Sequence, residues 1–123
     1  MNQDQYRVVY VEPCKPAREM MLGKDLKDLQ QAVGGYIELI RAHGDRTVIV
    51  GNDEAKLIGM EGNRRLGNGS IIAGPFFVIG DGGEDFCSLT DEEVARYLQH
   101  YAQPHEISQE EVQADLGWVF FSF

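Results

Sequence analysis

The sequence predicts a single α+β domain, in which a mixed or mostly antiparallel, twisted sheet of about five strands carries two main helices on one face. Its length of 123 residues is enough for one hydrophobic core and too short for two. Short runs rich in β-branched and aromatic residues are separated by glycine, proline and asparagine turns, which is typical of strands. Two longer segments repeat apolar residues at helical spacing, which predicts helices.

The first third of the chain predicts two strands and a helix. Tyr6–Glu12 is rich in valine and tyrosine and stops at Pro13, so it predicts a first strand. Arg18–Leu22 is predicted as a short second strand, although its Met-Met-Leu run suits a helix equally well. Lys24–Val33 has an apolar face at helical spacing, and the glycine pair beginning at Gly34 is expected to end this helix in a left-handed cap.

The middle of the chain predicts a hairpin followed by further strands. Tyr36–Arg41 and Thr47–Val50 are β-type runs on either side of a glycine turn, and they predict an antiparallel pair. Ala55–Met60 is short and is expected to form another strand. Ile71–Ala73 and Phe76–Ile79 are apolar enough for buried strands, and the glycine–proline pair between them indicates an edge or a bulge.

Two helix starts with the same pattern follow. Thr90 and Glu93 form a capping box, in which each side chain satisfies a backbone amide at the start of a helix. Ser108 and Glu111 repeat the pattern and predict a last short helix before Gly117.

The C-terminal residues Trp118–Phe123 are strongly apolar, and burial is expected because exposed aromatic surface is costly in water. They are predicted either to add a strand to the domain's own sheet or to dock on a second copy. Residues 1–103 are therefore assigned to one α+β domain, and residues 104–123 to a C-terminal extension packed on that domain or on a second copy.

The formal net charge of −9 limits the partners of the protein. Nucleic-acid backbones and anionic membranes are bound through Lys and Arg, so direct binding to either is not expected. No apolar run reaches the roughly 20 residues that cross a bilayer, and the amino terminus lacks a signal-peptide pattern, so a cytoplasmic location is predicted. Cys14 and Cys87 are then expected to be free thiols.

The glycine-rich stretch from Asn63 to Ser70 is predicted to form a loop that binds an anion. It contains the only Arg-Arg pair of the chain. Backbone amides in a glycine-rich turn, together with guanidinium groups, match the geometry of a phosphate. The predicted ligand-binding residues are Asn63, Arg64, Arg65, Gly67, Asn68, Gly69 and Ser70. The alternative is structural, with the arginines paired to Glu54, Glu61 or Asp81.

No catalytic, metal or cofactor site is predicted. The glycine-rich stretch lacks the lysine followed by serine or threonine of a nucleoside-triphosphatase loop. Asp53, Glu54 and Lys56 are similar to the acidic pair and lysine of metal-dependent nucleases, but a negative surface would repel DNA. His100 and His105 do not share a helix face and have no third ligand, which disfavours zinc. We therefore expect a protein that is not an enzyme.

Acidic residues concentrate in the second half of the chain and indicate a different class of function. They lie between Asp81 and Glu93 and again between Glu106 and Asp115, and no Lys or Arg follows Arg96. Such a face can bind a basic protein surface or imitate the phosphates of a nucleic-acid duplex. The alternative is a solvated acidic face that keeps the protein soluble.

A succession of short motifs resembles the domain of unknown function 3846 family. The motifs are Gly34-Gly-Tyr-Ile-Glu38, Asn52-Asp-Glu-Ala-Lys-Leu-Ile-Gly59, Asn63-Arg-Arg-Leu66, Ile71-Ile-Ala-Gly74 and Asp85-Phe-Cys-Ser-Leu-Thr-Asp-Glu-Glu93. The resemblance implies a small bacterial protein, often encoded on phages and other mobile elements. It supplies no activity and no catalytic residue.

These observations predict a non-enzymatic binding protein that holds a small anionic or nucleotide-like ligand, such as a phosphorylated molecule, at the Asn63–Ser70 stretch and that forms a homo-oligomer. A mobile element could use such a protein to sequester a host signal and so oppose host defence. The alternative is an acidic interaction module, or a nucleic-acid mimic, that binds a basic surface of a host protein.

Overall fold

The structure is a computed structural model that describes residues 4–120, with side chains described up to residue 116. It confirms an α+β domain. In chain order, the described elements are β1 (Gln5–Val11), β2 (Arg18–Gly23), α1 (Leu26–Val33), β3 (Ile37–Ile40), β4 (Thr47–Asn52), β5 (Gly62–Arg65), β6 (Ile71–Ala73), β7 (Phe76–Asp81), β8 (Phe86–Cys87), α2 (Asp91–His100) and α3 (Gln109–Phe120).

The main sheet is antiparallel throughout, which confirms the predicted strand arrangement. Its strands follow the order β2-β1-β7-β4-β3, and the short β8 pairs with β7. The predicted hairpin is present, since β3 pairs with β4 and places Glu38 opposite Gly51. A separate two-stranded sheet is formed by β5 and β6. The domain therefore has one principal sheet and one small hairpin packed beside it.

Helices α1 and α2 lie on opposite faces of the main sheet, so the expectation that both would share one face is wrong. On β4, Val48 and Val50 pack in the cluster that contains α1, whereas Ile49 packs in the cluster that contains α2. All three side chains are fully buried. Because successive residues of a strand face opposite sides, a continuous apolar strand needs a covering layer on each side.

The segment 53–61 and the start of the glycine-rich stretch differ from the predictions. Ala55–Met60 forms turns instead of a strand: the Met60 amide donates to the Ala55 carbonyl at 2.9 Å, and Gly59 has a φ of +81°. Residues 63–65 were expected in a loop but belong to β5. The loop is confined to residues 66–70, where the Leu66 amide donates to the Ser70 carbonyl at 2.8 Å. These turns are closed by contacts of the backbone, which residue composition does not specify.

The predicted start of α2 and the predicted end of α1 are confirmed, whereas α3, which was expected to end before Gly117, continues to Phe120. In α2 the Glu93 amide donates to Thr90 Oγ1 at 3.2 Å, and the Thr90 amide donates to Glu93 Oε1 at 2.9 Å. Helix α1 ends at Gly34, whose φ of +81° is in the left-handed region that glycine adopts at low cost. Local sequence signals therefore determine where these helices begin and end.

The C-terminal segment packs against the turn 53–61 and the β5–β6 hairpin. Val112 of α3 is fully buried in a cluster with Ala55, Ile71 and Ala73. The backbone of α3 is helical through residue 120, so the strand expected from Trp118 onward does not form at residues 118–120. The side chains of residues 117–120 and the whole of residues 121–123 lie outside the described part of the chain, and the predicted burial of the tail lies there too.

Within residues 4–120, none of the helices is both long enough and apolar enough to cross a bilayer.

Candidate functional site

Arg64, the first arginine of the predicted anion site, is completely buried, with 0% of its surface exposed. One terminal nitrogen donates to the carbonyl of Asn63 at 3.1 Å and to its side-chain oxygen at 2.8 Å. The other donates to the carbonyls of Lys15 and Tyr101, at 2.7 and 2.9 Å. Among the described residues, its Nε has no hydrogen-bond partner. The guanidinium group of Arg64 is therefore occupied by the protein's own backbone.

Neutral oxygens, including one at a helix end, stabilise the charge of Arg64. The carbonyl of Tyr101 lies at the C-terminal end of α2, where the helix dipole favours a cation. Loss of hydration lowers the pKa of the Arg64 guanidinium, which nevertheless remains charged. Asn63 is buried beside it and donates to the carbonyls of Val11 and Gly74, each at 2.9 Å. Asn63 and Arg64 thus connect β5 by hydrogen bonds to Val11, Lys15, Gly74 and Tyr101.

Arg65 faces the other side of β5, because successive residues of a strand alternate in direction. Its side chain is 41% exposed and forms an ion pair with Glu111 of α3. Hydrogen bonding by Arg65 lowers the pKa of the Glu111 carboxyl. The Arg65 amide donates to Nδ1 of His105 at 2.9 Å. The two adjacent arginines therefore do not converge on a common ligand position, and neither pairs with Glu54, Glu61 or Asp81 as the structural alternative proposed.

The remaining predicted site residues form the tip of the β5–β6 hairpin. Gly67, Asn68 and Gly69 are exposed, and Gly69 has a φ of +90°. The side-chain oxygen of Asn68 accepts from the amide of Ser70 at 3.0 Å and from its hydroxyl at 2.7 Å. This is an Asx turn, which closes a loop without any ligand.

Ser70 also lines a groove of about 540 Å³, which we call the hairpin groove because it lies between the β3–β4 and β5–β6 hairpins. Its floor is apolar and is formed by side chains of β3, β6 and α3. The lining residues are Glu38, Ile40, Gly51, Asn52, Asp53, Ala55, Lys56, Leu57, Leu66, Ser70, Ile71, Ile72, Ala73 and Leu116. Concave sites that combine an apolar floor with a few polar groups are typical of small-molecule binding, and several peptide-binding grooves share this character.

The charges at the hairpin groove are unbalanced. Lys56, the cation among its described lining residues, forms an ion pair with Asp115. Loss of hydration opposes ionisation of Asp115, but hydrogen bonds from Lys56 and from the Ile71 amide outweigh it and lower the pKa of this carboxyl. Glu38 and Asp53 make no ion pair within the part of the chain that the structure describes. Two carboxylates are therefore available at the rim of the groove.

Glu38 shows the effect of this imbalance. Loss of hydration and the negative charge of Asp53 raise the pKa of the Glu38 carboxyl, while the charge of Lys56 opposes the shift. A carboxylate whose ionisation is disfavoured in this way would be stabilised by a cation placed beside it. The hairpin groove is therefore suited to a positively charged occupant.

Sequence reasoning identified only part of this groove. Asp53 and Lys56 were considered as part of a nuclease-like trio, and Ser70 as part of the anion site. Glu38 was missed, although a single carboxylate within the apolar run 37–40 is a recognisable signal. What the sequence could not show is that the turn after β4 and the hairpin tip lie on opposite sides of one groove.

A family model described as "Domain of unknown function (DUF3846)" matches residues 6–102 of the chain. The match extends from β1 to the end of α2 and includes both hairpins, whereas α3 lies beyond it. No curated protein and no solved structure matches the chain significantly.

Proposed function

The chain belongs to the domain of unknown function 3846 family, and from the geometry of its groove we propose that it is a non-enzymatic, acidic interaction module of the cytoplasm. In this proposal a basic segment of a partner protein binds in the hairpin groove. The observation that carries it is the pair of carboxylates, Glu38 and Asp53, beside an apolar floor; Lys56, the cation among the described lining residues, is already paired with Asp115. Complementary charge at such a site favours a cationic partner and gives specificity.

The apolar floor supports a segment of protein over a small inorganic cation. Leu57, which is 57% exposed, and the partly buried Ile40 and Leu66 line the groove. Covering their apolar surface stabilises a complex by roughly 25 cal/mol per Å² removed from water. Lysine and arginine can place their aliphatic stems on this floor while their charged ends reach the carboxylates at the rim. A short segment that carries both kinds of group therefore matches the groove.

The state of Cys14, the exposed thiol, does not favour catalysis by a cysteine nucleophile. Its Sγ donates to Glu61 Oε2 at 3.2 Å, and this hydrogen bond raises the pKa of the Cys14 thiol. The thiolate, which is the reactive form of cysteine, is therefore disfavoured.

Four other expectations stay predictions: a small anionic ligand, a homo-oligomer, an origin in a mobile element and a role against host defence. The surroundings of the two arginines support an anion-binding site less well than the hairpin groove supports an interaction module. The guanidinium group of Arg64 is occupied by carbonyls, and that of Arg65 is paired with Glu111.

The proposal is tested by selecting random ten-residue peptides on the immobilised protein and measuring the binding of an enriched peptide by fluorescence anisotropy. We expect enrichment of lysine and arginine, and weaker binding in 300 mM than in 50 mM salt, because salt screens exposed charges. The variant Glu38→Gln with Asp53→Asn should weaken binding about tenfold or more.

The matched control is Glu92→Gln with Glu110→Gln. These two exposed carboxylates do not line the groove, and their replacement changes the net charge by the same amount. The control should bind almost as well as the natural protein. Failure to enrich basic peptides, or an equal loss in both double variants, would contradict a groove-specific site.

A further inference from the structure

Strand β3 forms one edge of the main sheet, and its outer side is unpaired. The strand order ends at β3, which pairs with β4 on its inner side. Among the described residues, no backbone group of residues 37–40 makes a hydrogen bond beyond that pairing. In an antiparallel strand alternate residues direct their amide and carbonyl groups to the same side. The outer edge of β3 therefore offers a row of free donors and acceptors.

The two edges of the main sheet differ in how well they are protected against pairing with another strand. At the other edge, β2 carries charged residues that are engaged in ion pairs: Arg18 with Glu12, and Glu19 with Arg7. Charged side chains on an edge strand discourage pairing with other chains. Strand β3 instead reads Ile-Glu-Leu-Ile, with Leu39 exposed by 49%. The β3 edge is therefore the more receptive one.

Side chains of β3 alternate between two grooves on opposite faces of the sheet. Glu38 and Ile40 line the hairpin groove. Ile37 and Leu39 line a second groove of about 360 Å³ beside α1, which we call the α1 groove. A strand added along β3 would project its own side chains alternately into the same two grooves, because neighbouring strands share the alternation.

The α1 groove has the same character as the hairpin groove. Leu26, which is 57% exposed, contributes to its apolar lining. Arg41 is paired with Asp81, while Glu84 and Asp85 make no ion pair within the described part of the chain. Lys24 also lines the α1 groove and lies over the ring of Tyr6, so the carboxylates among the described lining residues outnumber the cations by only one. Both faces of the β3 edge thus combine apolar surface with a small excess of carboxylates.

We propose that the basic partner segment binds as an additional antiparallel or parallel strand along the outer edge of β3, with its side chains entering the hairpin groove and the α1 groove alternately. This mode rests on the proposed function and adds the geometry of binding to it. Backbone hydrogen bonds to β3 provide affinity, and the two grooves provide specificity. Four residues of β3 correspond to a length of roughly 13 Å.

Charge complementarity selects a foreign basic segment over a second copy of this chain. Pairing of two β3 strands would add Glu38 of the second copy to a region in which carboxylates already outnumber cations, in a molecule with a net charge of −9. Like charges brought together at an edge are unfavourable. A basic segment neutralises the same carboxylates.

The alternation of side chains between the two grooves also predicts the sequence pattern of the bound segment. Each groove receives every second residue, and each presents both apolar surface and carboxylates. Consecutive residues must therefore come in like pairs, such as basic-basic-apolar-apolar-basic-basic, so that both grooves receive both kinds of side chain.

The test uses three peptides with the sequence Gly-Lys-Arg-Val-Val-Lys-Arg-Gly and blocked ends. One is unmodified, one is N-methylated at odd positions and one at even positions, so that charge and side chains stay the same. Only one methylated series removes the amides that face β3. We expect that isomer to bind at least about tenfold more weakly than the unmodified peptide, and the other to stay within about threefold.

The outcomes separate strand addition from the proposed function. Equal binding by all three peptides would overturn strand addition while basic binding stands. Absence of binding by all three would overturn both. A dimer of the protein alone, measured by sedimentation, with no peptide binding and with hydrogen-exchange protection of the outward-facing amides of residues 37–40, would assign the edge to a second copy and also overturn the proposal.

Single variants test whether both grooves are used. Glu38→Gln in the hairpin groove and Glu84→Gln in the α1 groove should each weaken binding of the unmodified peptide, whereas Glu92→Gln on α2 should not. An effect from one groove alone would contradict the alternating arrangement. Hydrogen exchange adds a direct readout, since outward-facing amides among residues 37–40 should become protected when the peptide binds.

Discussion

At the residue scale, Arg64 and Arg65 are adjacent in sequence but have opposite roles in the structure. The Arg64 guanidinium donates four hydrogen bonds to oxygens of Asn63, Lys15 and Tyr101. Arg65 lies at the surface and forms one ion pair, with Glu111. Buried polar groups that lose their partners are costly, whereas exposed ion pairs contribute little.

The first prediction follows from this contrast. Arg64→Ala should lower the free energy of unfolding by about 3–4 kcal/mol, because it removes a fully buried side chain and four hydrogen bonds, although the Tyr101 carbonyl keeps the Ala17 amide as a donor. Arg65→Ala, the matched control, should lower it by about 1 kcal/mol or less. Urea denaturation at neutral pH measures both values. Similar losses of unfolding free energy in the two variants would show that the hydrogen bonds of Arg64 do not contribute to stability as the structure indicates.

At the element scale, the contact between β5 and the C-terminal segment depends on a residue without a side chain. A Cβ placed on Gly62 would lie 2.6 Å from Ile107 Cγ2 and 3.0 Å from Val112 Cγ2. Such distances are too short for carbon atoms, so α3 and the segment before it approach β5 only because glycine stands there.

The second prediction concerns this close approach. Gly62→Ala should destabilise the protein by about 1–3 kcal/mol through overpacking, measured as the shift in the urea midpoint. In the background of Ile107→Ala the same change should cost less, because that variant lacks the nearest carbon, Cγ2, although its Cβ remains. Gly67→Ala is the control, since a Cβ there meets nothing within 4 Å. An unchanged midpoint for Gly62→Ala would mean that α3 does not pack on β5 in solution.

At the scale of the whole molecule, the face that carries α2 contains a group of histidine and tyrosine side chains. His43, from the loop between β3 and β4, lies with its ring centre 5.4 Å from that of His100. Its Nε2 is 3.0 Å from the hydroxyl of Tyr101. Loss of hydration and the charge of His100 lower the pKa of the His43 imidazole, although Asp45 opposes the shift.

The third prediction is a dependence of stability on pH. Because the pKa of His43 is lower in the folded state, the unfolded chain takes up a proton first as the pH falls through the ordinary histidine value of about 6.5. Stability to urea should therefore be greater at pH 7.5 than at pH 5.5. His105 contributes in the same direction, since burial and the charges of Arg64 and Arg65 also lower its pKa.

The check is a comparison of the natural protein with His43→Gln across this pH range. The variant should show a smaller difference between pH 7.5 and pH 5.5, and His105 accounts for what remains. Measurements stay above pH 5, where the carboxylates do not yet titrate extensively. An identical pH profile in both proteins would argue against a buried neutral His43.

Local signals allowed much of the fold to be predicted from the sequence. Thr90 with Glu93 specified the start of α2, and Gly34 specified the end of α1, because capping depends on residues that are close in sequence. The runs of β1, β4 and β7 were recognisable from their apolar and β-branched residues. The family was also recognisable from its motifs, and the match over residues 6–102 confirms it.

The candidate site depends on contacts between distant parts of the chain, which residue patterns do not specify. The Arg-Arg pair looked like a phosphate site, but Arg64 is occupied by carbonyls that lie 37 and 49 residues away from it. The hairpin groove exists because the turn that follows β4 faces β6 and Leu116 across a gap. The turn after β4, strand β6 and Leu116 are well separated in the sequence.

The amino-acid sequence by itself determined the secondary structure of most segments, the acidic charge and the family, since these follow from composition, local capping and residue order. Tertiary structure alone decided that α1 and α2 lie on opposite faces, that Arg64 is enclosed, and that the carboxylates of Glu38 and Asp53 meet at one groove beside an open sheet edge. The physical reason is that burial and charge compensation depend on which segments pack together, and those contacts are made across the whole chain.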